Sequence, residues 1–350
     1  GPDAEALTDY VITRDATAIE PMRGKYVILC NERGGILNDP VLLRIAEDEF
    51  WFSISDSTLM QWIQGVNVGM GFDVEIDEID VTPLQIQGPL SEDVMVDVVG
   101  DAVSDLPYYG LLAAEIGGAP VIVSQTGFSG EAGYEIYVQD AMENAERVYD
   151  PVLASVKDHG GMAIAPGHHR RIAAGILSWG QDMDHETSPF QVNLGYHVRD
   201  DKEGDYIGKE ALEAQKAQVE AGEYPFALKL IGLKMAGEPI QEYATDFWLI
   251  SDPDSGEEVG YITSPWWNPD LDTNIALGFV PASMLQAATD TPLNDEIYEE
   301  ELDVEFAVHL PDEYAETPGE PVYATVAPVP FKESANPSAR EQEKLGIDIS

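Results

Sequence analysis

The chain predicts a mixed α+β fold closing in an all-β domain, and three observations carry that prediction. Apolar residues recur at helical spacing in several segments before residue 226, and these segments alternate with short apolar runs of strand character. Beyond Pro225 the helical spacing gives way to strand-like runs separated by turn residues, the pattern of a small β-barrel or sandwich. A length of 350 residues leaves room for two or three domains, each with a core of ordinary size.

Gly1-Pro2-Asp3-Ala4 reads as a helix start, with Pro at the first helical position and Asp in the first turn. Tyr26-Val27-Ile28-Leu29-Cys30 reads as a strand, in which Cys30 is a buried small apolar residue rather than a nucleophile. A Gly34-Gly35 turn then leads into Ile36-Leu37. Asn38-Asp39-Pro40 interrupts the apolar run before Val41-Leu42-Leu43 resumes it, and Phe50–Ser55 forms the next strand. Polar side chains inside a hairpin that otherwise reads as buried must find hydrogen bonds. Two readings stand side by side: a plain turn or bulge, or a functional pair, Asn38 and Asp39.

A helix is expected from Thr58, capped from Asp56 or Ser57 and ended between Gly65 and Gly71. Phe72–Ile76 alternates apolar and acidic residues like a half-exposed strand. Further strands are expected at Val81–Gly88 and Ala119–Ser124, and helices from Ser91 and over Asn144–His159. Between the Ala119 strand and Tyr134-Glu135-Ile136-Tyr137 lies a glycine-rich loop, Gln125 to Gly133. Its Gly127-Phe128-Ser129-Gly130 has the wrong spacing for a serine-hydrolase elbow. Glu135 reads equally as a pocket carboxylate or an outward strand residue. His168 and His169 are adjacent and do not face one metal on a helix, and no Cys or carboxylate completes a metal set. Asp182 and Asp184 read as a paired-carboxylate site or as braces for the turn into Thr187-Ser188-Pro189. Ala214–Pro225 is a polar helix and linker. The expected C-terminal strands are 227–233, 247–251, 258–264, 275–280, 302–308 and 321–329, and a polar tail follows from Lys332.

Eighteen basic against 65 acidic residues give a net charge of −47, dispersed along the chain with a denser patch at 295–305. Such self-repulsion opposes a compact state in dilute buffer. At roughly 1 M salt the Debye length falls to about 3 Å and screens it, so the composition points to a halophilic protein of a salt-rich cytoplasm. An acidic docking surface for a basic partner would cluster the acids instead. The scarcity of Lys and Arg speaks against nucleic acid as a ligand. One cysteine excludes an internal disulfide and fits a reducing compartment. The sequence shows no membrane-length apolar run and no signal-peptide pattern.

Several of these segments, in order, resemble the glycine-cleavage T-protein family, the folate-dependent aminomethyltransferases and demethylases. They are Gly34-Gly35-Ile36 with the polar pair and Val41-Leu42, then Leu84-Gln85-Ile86-Gln87-Gly88-Pro89, then the Gly127-to-Tyr137 loop. His168 through Asp184, Tyr206-Ile207-Gly208-Lys209-Glu210-Ala211-Leu212, Gly260–Ser264 and Asn274–Pro281 follow. The resemblance implies a three-domain cloverleaf with a C-terminal β-barrel and folate in a central channel. Domain 1 would comprise 1–60 and 150–215, domain 2 residues 61–149, and the barrel 226–331, with 332–350 as tail. By this match the family's opening strands are missing ahead of Gly1, making the chain a fragment or a proteolysed product.

The resemblance further implies transfer of a one-carbon group to N5 of tetrahydrofolate, with catalytic roles at Asp39, which would orient the reacting centre, and Asn38, which would hydrogen-bond the folate. Tyr26 and Ser55 would line the pocket, Phe128 and Trp179 would pack on ligand rings, Glu135 would be a pocket carboxylate, and Lys202 would meet the folate glutamate tail. Asn38-Asp39-Pro40 looks more like the demethylase branch, which takes methyl groups from small sulfonio or aryl-ether donors. Family aminomethyltransferases, which work with a lipoyl carrier protein, usually carry two acids and no proline there. Two departures stand out. Gln125 replaces the usual Arg, and Ala173 takes the place of a Glu that recognises the pterin in close relatives. A folate-binding protein without turnover is therefore a third expectation.

Overall fold

A computed structural model describes residues 1–54, 57–242, 244, 246–314 and 319–332. The chain forms two compact units, one built on Gly1–Val27 and Asp39–Gly167, the other on Ile28–Asn38 and His168–Glu333. The sequence enters the first unit through α1 (Ala4–Val11), then runs through β1 (Arg23–Tyr26), β2 (Leu29–Cys30), β3 (Ile36–Asn38), β4 (Val41–Ala46) and β5 (Glu49–Ser53). The single strand expected at Tyr26–Cys30 is thus two strands. β1 joins a β1-β4-β5 sheet, whereas β2 pairs only with β3. Local sequence cannot show this break, because Val27, Ile28, Leu29 and Cys30 are all fully buried and read as one apolar run. Burial raises the Cys30 thiol far above its ordinary range, which leaves it un-ionised and inert.

In the first unit, α2 (Leu59–Met70) buries Leu59 and Ile63 and stops at Gly71, whose φ of +76° places it in the left-handed region. The Ser57 hydroxyl accepts the N–H of Leu59, whereas Asp56, the other expected cap, lies outside the described residues. No strand forms at Phe72–Ile76. Side chains of α2 take its backbone groups instead: Asn67 binds Phe72 through both its N–H and its carbonyl, and Gln64 donates to the carbonyl of Ile76. The alternation there is real, but it reflects packing on a helix.

Four antiparallel strands, β6 (Val81–Gln87), β7 (Leu111–Ile116), β8 (Ala119–Ser124) and β9 (Gly133–Gln139), form a sheet in the order β6-β9-β8-β7. Helices α3 (Ser91–Val99) and α4 (Ala141–Asp158) accompany it. Val121, Val123, Ile136 and Val138 pack against Val94, Met95, Val148 and Val152 on one sheet face. Each such side chain contributes about 1.5–3 kcal/mol by leaving water. Ile122 and Tyr137 point to the other face and meet Leu43 and Trp51 of the β1-β4-β5 sheet. Backbone hydrogen bonds from Gly24 to the Tyr109 carbonyl (2.7 Å) and from Leu111 to the Met22 carbonyl (3.1 Å) fasten the two sheets together.

The second unit continues with α5 (His168–Ala173) and α6 (Lys209–Glu220), which begins before the polar segment expected from Ala214. Strands β10 (Leu228–Met235), β11 (Trp248–Ser251), β12 (Glu258–Asn268), β13 (Thr273–Pro281), β14 (Glu305–Val308) and β15 (Val322–Ala327) then close a barrel in the order β10-β13-β12-β11-β14-β15. Of barrel and sandwich, the chain adopts the barrel. Leu233, Ile250, Ile262, Phe306 and Val326 belong to its core. Among the described residues, no helix is long and apolar enough to cross a membrane.

Candidate active site

At the end of the β1·β4 ladder, Tyr26 stands opposite Val41. Pro40 has no N–H to offer the ladder, but its carbonyl accepts the N–H of Val27 at 3.1 Å. This fixes the chain where Asp39 leaves the strand. The Tyr26 hydroxyl donates to Oδ2 of Asp39 at 2.9 Å, and both side chains are half-buried. The result is a carboxylate held in one orientation by a phenol, able to take up a proton or to face developing positive charge.

The same unit holds a second carboxylate. Glu135 on β9 lies across from Gln85 on β6 and Ser124 on β8, so the three side chains share a sheet face. Glu135 is 8% exposed and therefore does not point outward from the sheet. Gln85 donates to Oε1 at 2.9 Å, while the Thr126 hydroxyl and the Tyr137 hydroxyl (3.2 Å) donate to Oε2. Ser53 in turn hydrogen-bonds Tyr137, and burial, with the Glu135 carboxylate beside it, pushes that phenol well above its usual range. Tyr137 thus remains a donor. A carboxylate has about four acceptor positions, and the three donors leave Oε1 able to accept one more.

Phe128 tips the adjoining loop and is partly exposed. The loop can close because residue 127 is a glycine: a Cβ there would sit 2.1 Å from Oε1 of Gln87. Gln87 also donates to the Thr126 carbonyl and accepts from the Ser129 hydroxyl, which sets the loop on the sheet.

In the second unit Asn38 ends β3 opposite Leu29. Its side chain is fully buried, and neither amide atom has a hydrogen-bond partner among the described residues. Such an orphaned amide costs about 1–3 kcal/mol and calls for an explanation. The Trp179 indole N–H donates to the Ile36 carbonyl at 3.1 Å, so this half-buried ring lies on the strand that carries Asn38. Lys202 is buried, with its ammonium 5.0 Å from the ring centre of Tyr206. The Ala173 side chain is buried, and its carbonyl accepts the N–H groups of Phe331 and Lys332.

The structure thus joins Tyr26 to Asp39 in one unit and Trp179 to the Asn38 strand in the other, while Ser55 lies outside the described residues. It also adds side chains that the sequence reading passed over. Tyr137 is two residues from Glu135 and shares its face, a signal the period of two already contained. Tyr109 adopts φ +59°, an uncommon conformation for a bulky residue and one that gathers at functional sites. Nothing in its neighbours' sequence announces it.

Comparison with known proteins matches residues 1–202 to the GCVT N-terminal domain and residues 229–332 to the glycine cleavage T-protein C-terminal barrel domain. Dimethylsulfoniopropionate demethylase DmdA of Ruegeria pomeroyi is 35% identical over 286 residues, covering 81% of this chain and 74% of that protein. An aminomethyltransferase of Thermotoga maritima is 32% identical over 291 residues, covering 81% and 75%. The crystal structure of glycine cleavage system aminomethyltransferase T from Bartonella henselae superposes with a TM-score of 0.75 at 22% identity, over 95% of this chain and 82% of that one, and shows the same fold.

Proposed function

The chain belongs to the glycine-cleavage T-protein family of tetrahydrofolate-dependent one-carbon transferases, and within that family we propose that it is a demethylase, moving a methyl group from a small sulfonio or aryl-ether donor to N5 of tetrahydrofolate. The observation that carries this reading is the single oriented carboxylate of the hairpin. Asp39 is held by Tyr26, and the neighbouring positions are an amide, Asn38, and a proline, Pro40, instead of a second acid.

In this reading the protein works mainly by positioning the two substrates. The bond from the methyl carbon to the donor heteroatom breaks, the donor keeping the electron pair, and a bond from carbon to N5 forms. Asp39 holds the proton that N5 releases. Asn38 pairs its buried amide with the folate, while Phe128 and Trp179 pack against ligand rings. Tyr26 lines the pocket and Lys202 serves the glutamate tail. With Ala173 unable to recognise a pterin, Glu135 takes that task through its remaining acceptor position, and the donors that fix its orientation support this. The three-part division, with domain 2 at 61–149 and the barrel at 226–331, belongs to the same proposal, as do a cytoplasmic location and a need for high salt.

The test is a calorimetric titration of tetrahydrofolate at roughly 1 M salt, where self-repulsion is screened, followed by turnover with a panel of methyl donors. Methylfolate appears with a sulfonio or aryl-ether donor, and Asp39→Ala lowers kcat by about a hundredfold or more. Lipoyl-dependent methylene transfer would identify an aminomethyltransferase with a lipoyl carrier partner instead. Binding without turnover would leave a folate-binding protein, and unchanged kcat in Asp39→Ala would remove Asp39 from the mechanism.

A further inference from the structure

We propose that Asp182, Thr263 and Ser264 are positioning residues for the one-carbon reaction, acting through the Trp179 loop on the strand that bears Asn38. This rests on the placement of Asn38 against the folate in the reading above. The starting observation is an irregularity in the barrel. Ile262 pairs with Gly278 and Ser264 pairs with Leu277, so Thr263 is one residue too many on β12. A regular strand would send the side chains of Thr263 and Ser264 to opposite faces. The bulge re-aims them, and both hydroxyls donate to Oδ1 of Asp182 at 2.6 Å. The carbonyl at the bulge is used too, accepting from the Gln181 amide at 2.8 Å.

Oδ2 of Asp182 accepts from Arg171 at 2.8 Å and from the Ser178 N–H at 2.9 Å. Asp182 is fully buried, and four donors occupy the acceptor positions of its carboxylate. None remains for a substrate, which rules out a paired acid/base role with Asp184. Asp184 instead accepts from Glu186 N–H and the Thr187 hydroxyl within its own turn. What Asp182 does is fix the loop, and the loop holds the hairpin at several points. Trp179 donates to the Ile36 carbonyl (3.1 Å), the Ile36 N–H donates to the Thr187 carbonyl (2.9 Å), and the Asn31 amide donates to the His185 carbonyl (2.8 Å). Both backbone groups of Ile36 are therefore set by the loop. Asn38 lies two residues further along the same short strand, opposite Leu29.

Stability alone is a poor reason for such a hub. A buried ion pair is often matched or bettered by apolar packing of the same volume. Directional bonds from a bulge to a carboxylate to a loop instead fix a register, and an orphaned amide needs a fixed register to meet a ligand.

The test compares Thr263→Val, which removes a hydroxyl at nearly constant shape, Thr263→Ser, which restores it, and Trp179→Phe, which removes the indole N–H. Ser264→Ala stands in should Thr263→Val fail to fold. Thr263→Val is expected to lower kcat about tenfold and to weaken the calorimetric Kd for tetrahydrofolate severalfold, because Asn38 meets the folate, and Thr263→Ser recovers both. Combined with Trp179→Phe, its effect is less than the product of the single effects, as for residues acting through one chain of contacts. Multiplicative losses, or a lower Tm with kcat intact, would overturn the proposal. Absence of turnover in the unaltered protein refutes the functional reading instead. The positioning claim then stands or falls on amide exchange at Ile36, which Thr263→Val must accelerate.

Discussion

His168 shows how one side chain's protonation is written into the fold. Its Nδ1 accepts from Nε of Arg171 at 3.3 Å, and its ring stacks on Trp266 with centroids 5.6 Å apart. Burial first, and then the Arg171 charge, hold its pKa below the ordinary 6.5, with Asp182 pulling weakly the other way. Burial and Arg170 depress His169 in the same sense. A histidine with a depressed pKa contributes stability that is fully present above pH 6.5 and is lost as the pH falls through its folded value. The denaturant midpoint should therefore decline on acidification below pH 6.5, and His168→Gln should flatten that decline; an unaltered profile would show that the imidazole titrates alike in the folded and unfolded states. The same scale shows what residues disclose by themselves. Asp39 and Asn38 stand out because polar groups interrupt an apolar hairpin. Glu135 stayed ambiguous, because its burial depends on donors from β6 and from the loop at Thr126, which local sequence does not bring together.

Among the elements, the β2·β3 hairpin is the most tightly specified. A Cβ on Gly35 would sit 1.9 Å from the His185 carbonyl oxygen and 2.9 Å from the Asn31 amide. The first of these is backbone, so the hairpin and the loop would have to separate. Gly35→Ala should cost about 1–3 kcal/mol, the usual penalty for overpacking, read as a lower denaturant midpoint with an unchanged m-value. No loss would mean that the two segments separate freely. The Gly34-Gly35 turn was legible from its residues, but its reason was not, since the obstacle comes from a carbonyl far along the chain. The missing strand at Phe72–Ile76 teaches the converse. Alternation predicts a half-buried extended segment, but a strand also needs a neighbour to bond with, and here α2 side chains supply the partners. Likewise the apolar run Tyr26–Cys30 records burial without recording which sheet each half joins.

For the molecule as a whole, the leading electrostatic quantity is the net charge of −47. If dispersed self-repulsion limits stability, Tm should climb steadily as KCl is raised from about 0.1 M to about 1 M, over which the Debye length falls from about 10 Å to about 3 Å. A Tm that stays flat or falls would show that the acids are compensated locally, and the expectation of salt dependence would be abandoned. Buried ion pairs such as Arg171–Asp182 at 2.8 Å should be insensitive to this range, because salt does not reach them.

The sequence by itself determined the α+β class, the C-terminal all-β region, the single inert thiol and the family, because periodicity, turn residues and motif order are local properties that survive without contacts. Only the tertiary structure decided that Tyr26 orients Asp39, that Thr126, Tyr137 and Gln85 hold Glu135, and that a bulge at Thr263 turns two hydroxyls toward Asp182. Those relations join residues up to 82 positions apart. Hydrogen bonds act over a few ångströms of space, and distance along the chain does not enter them.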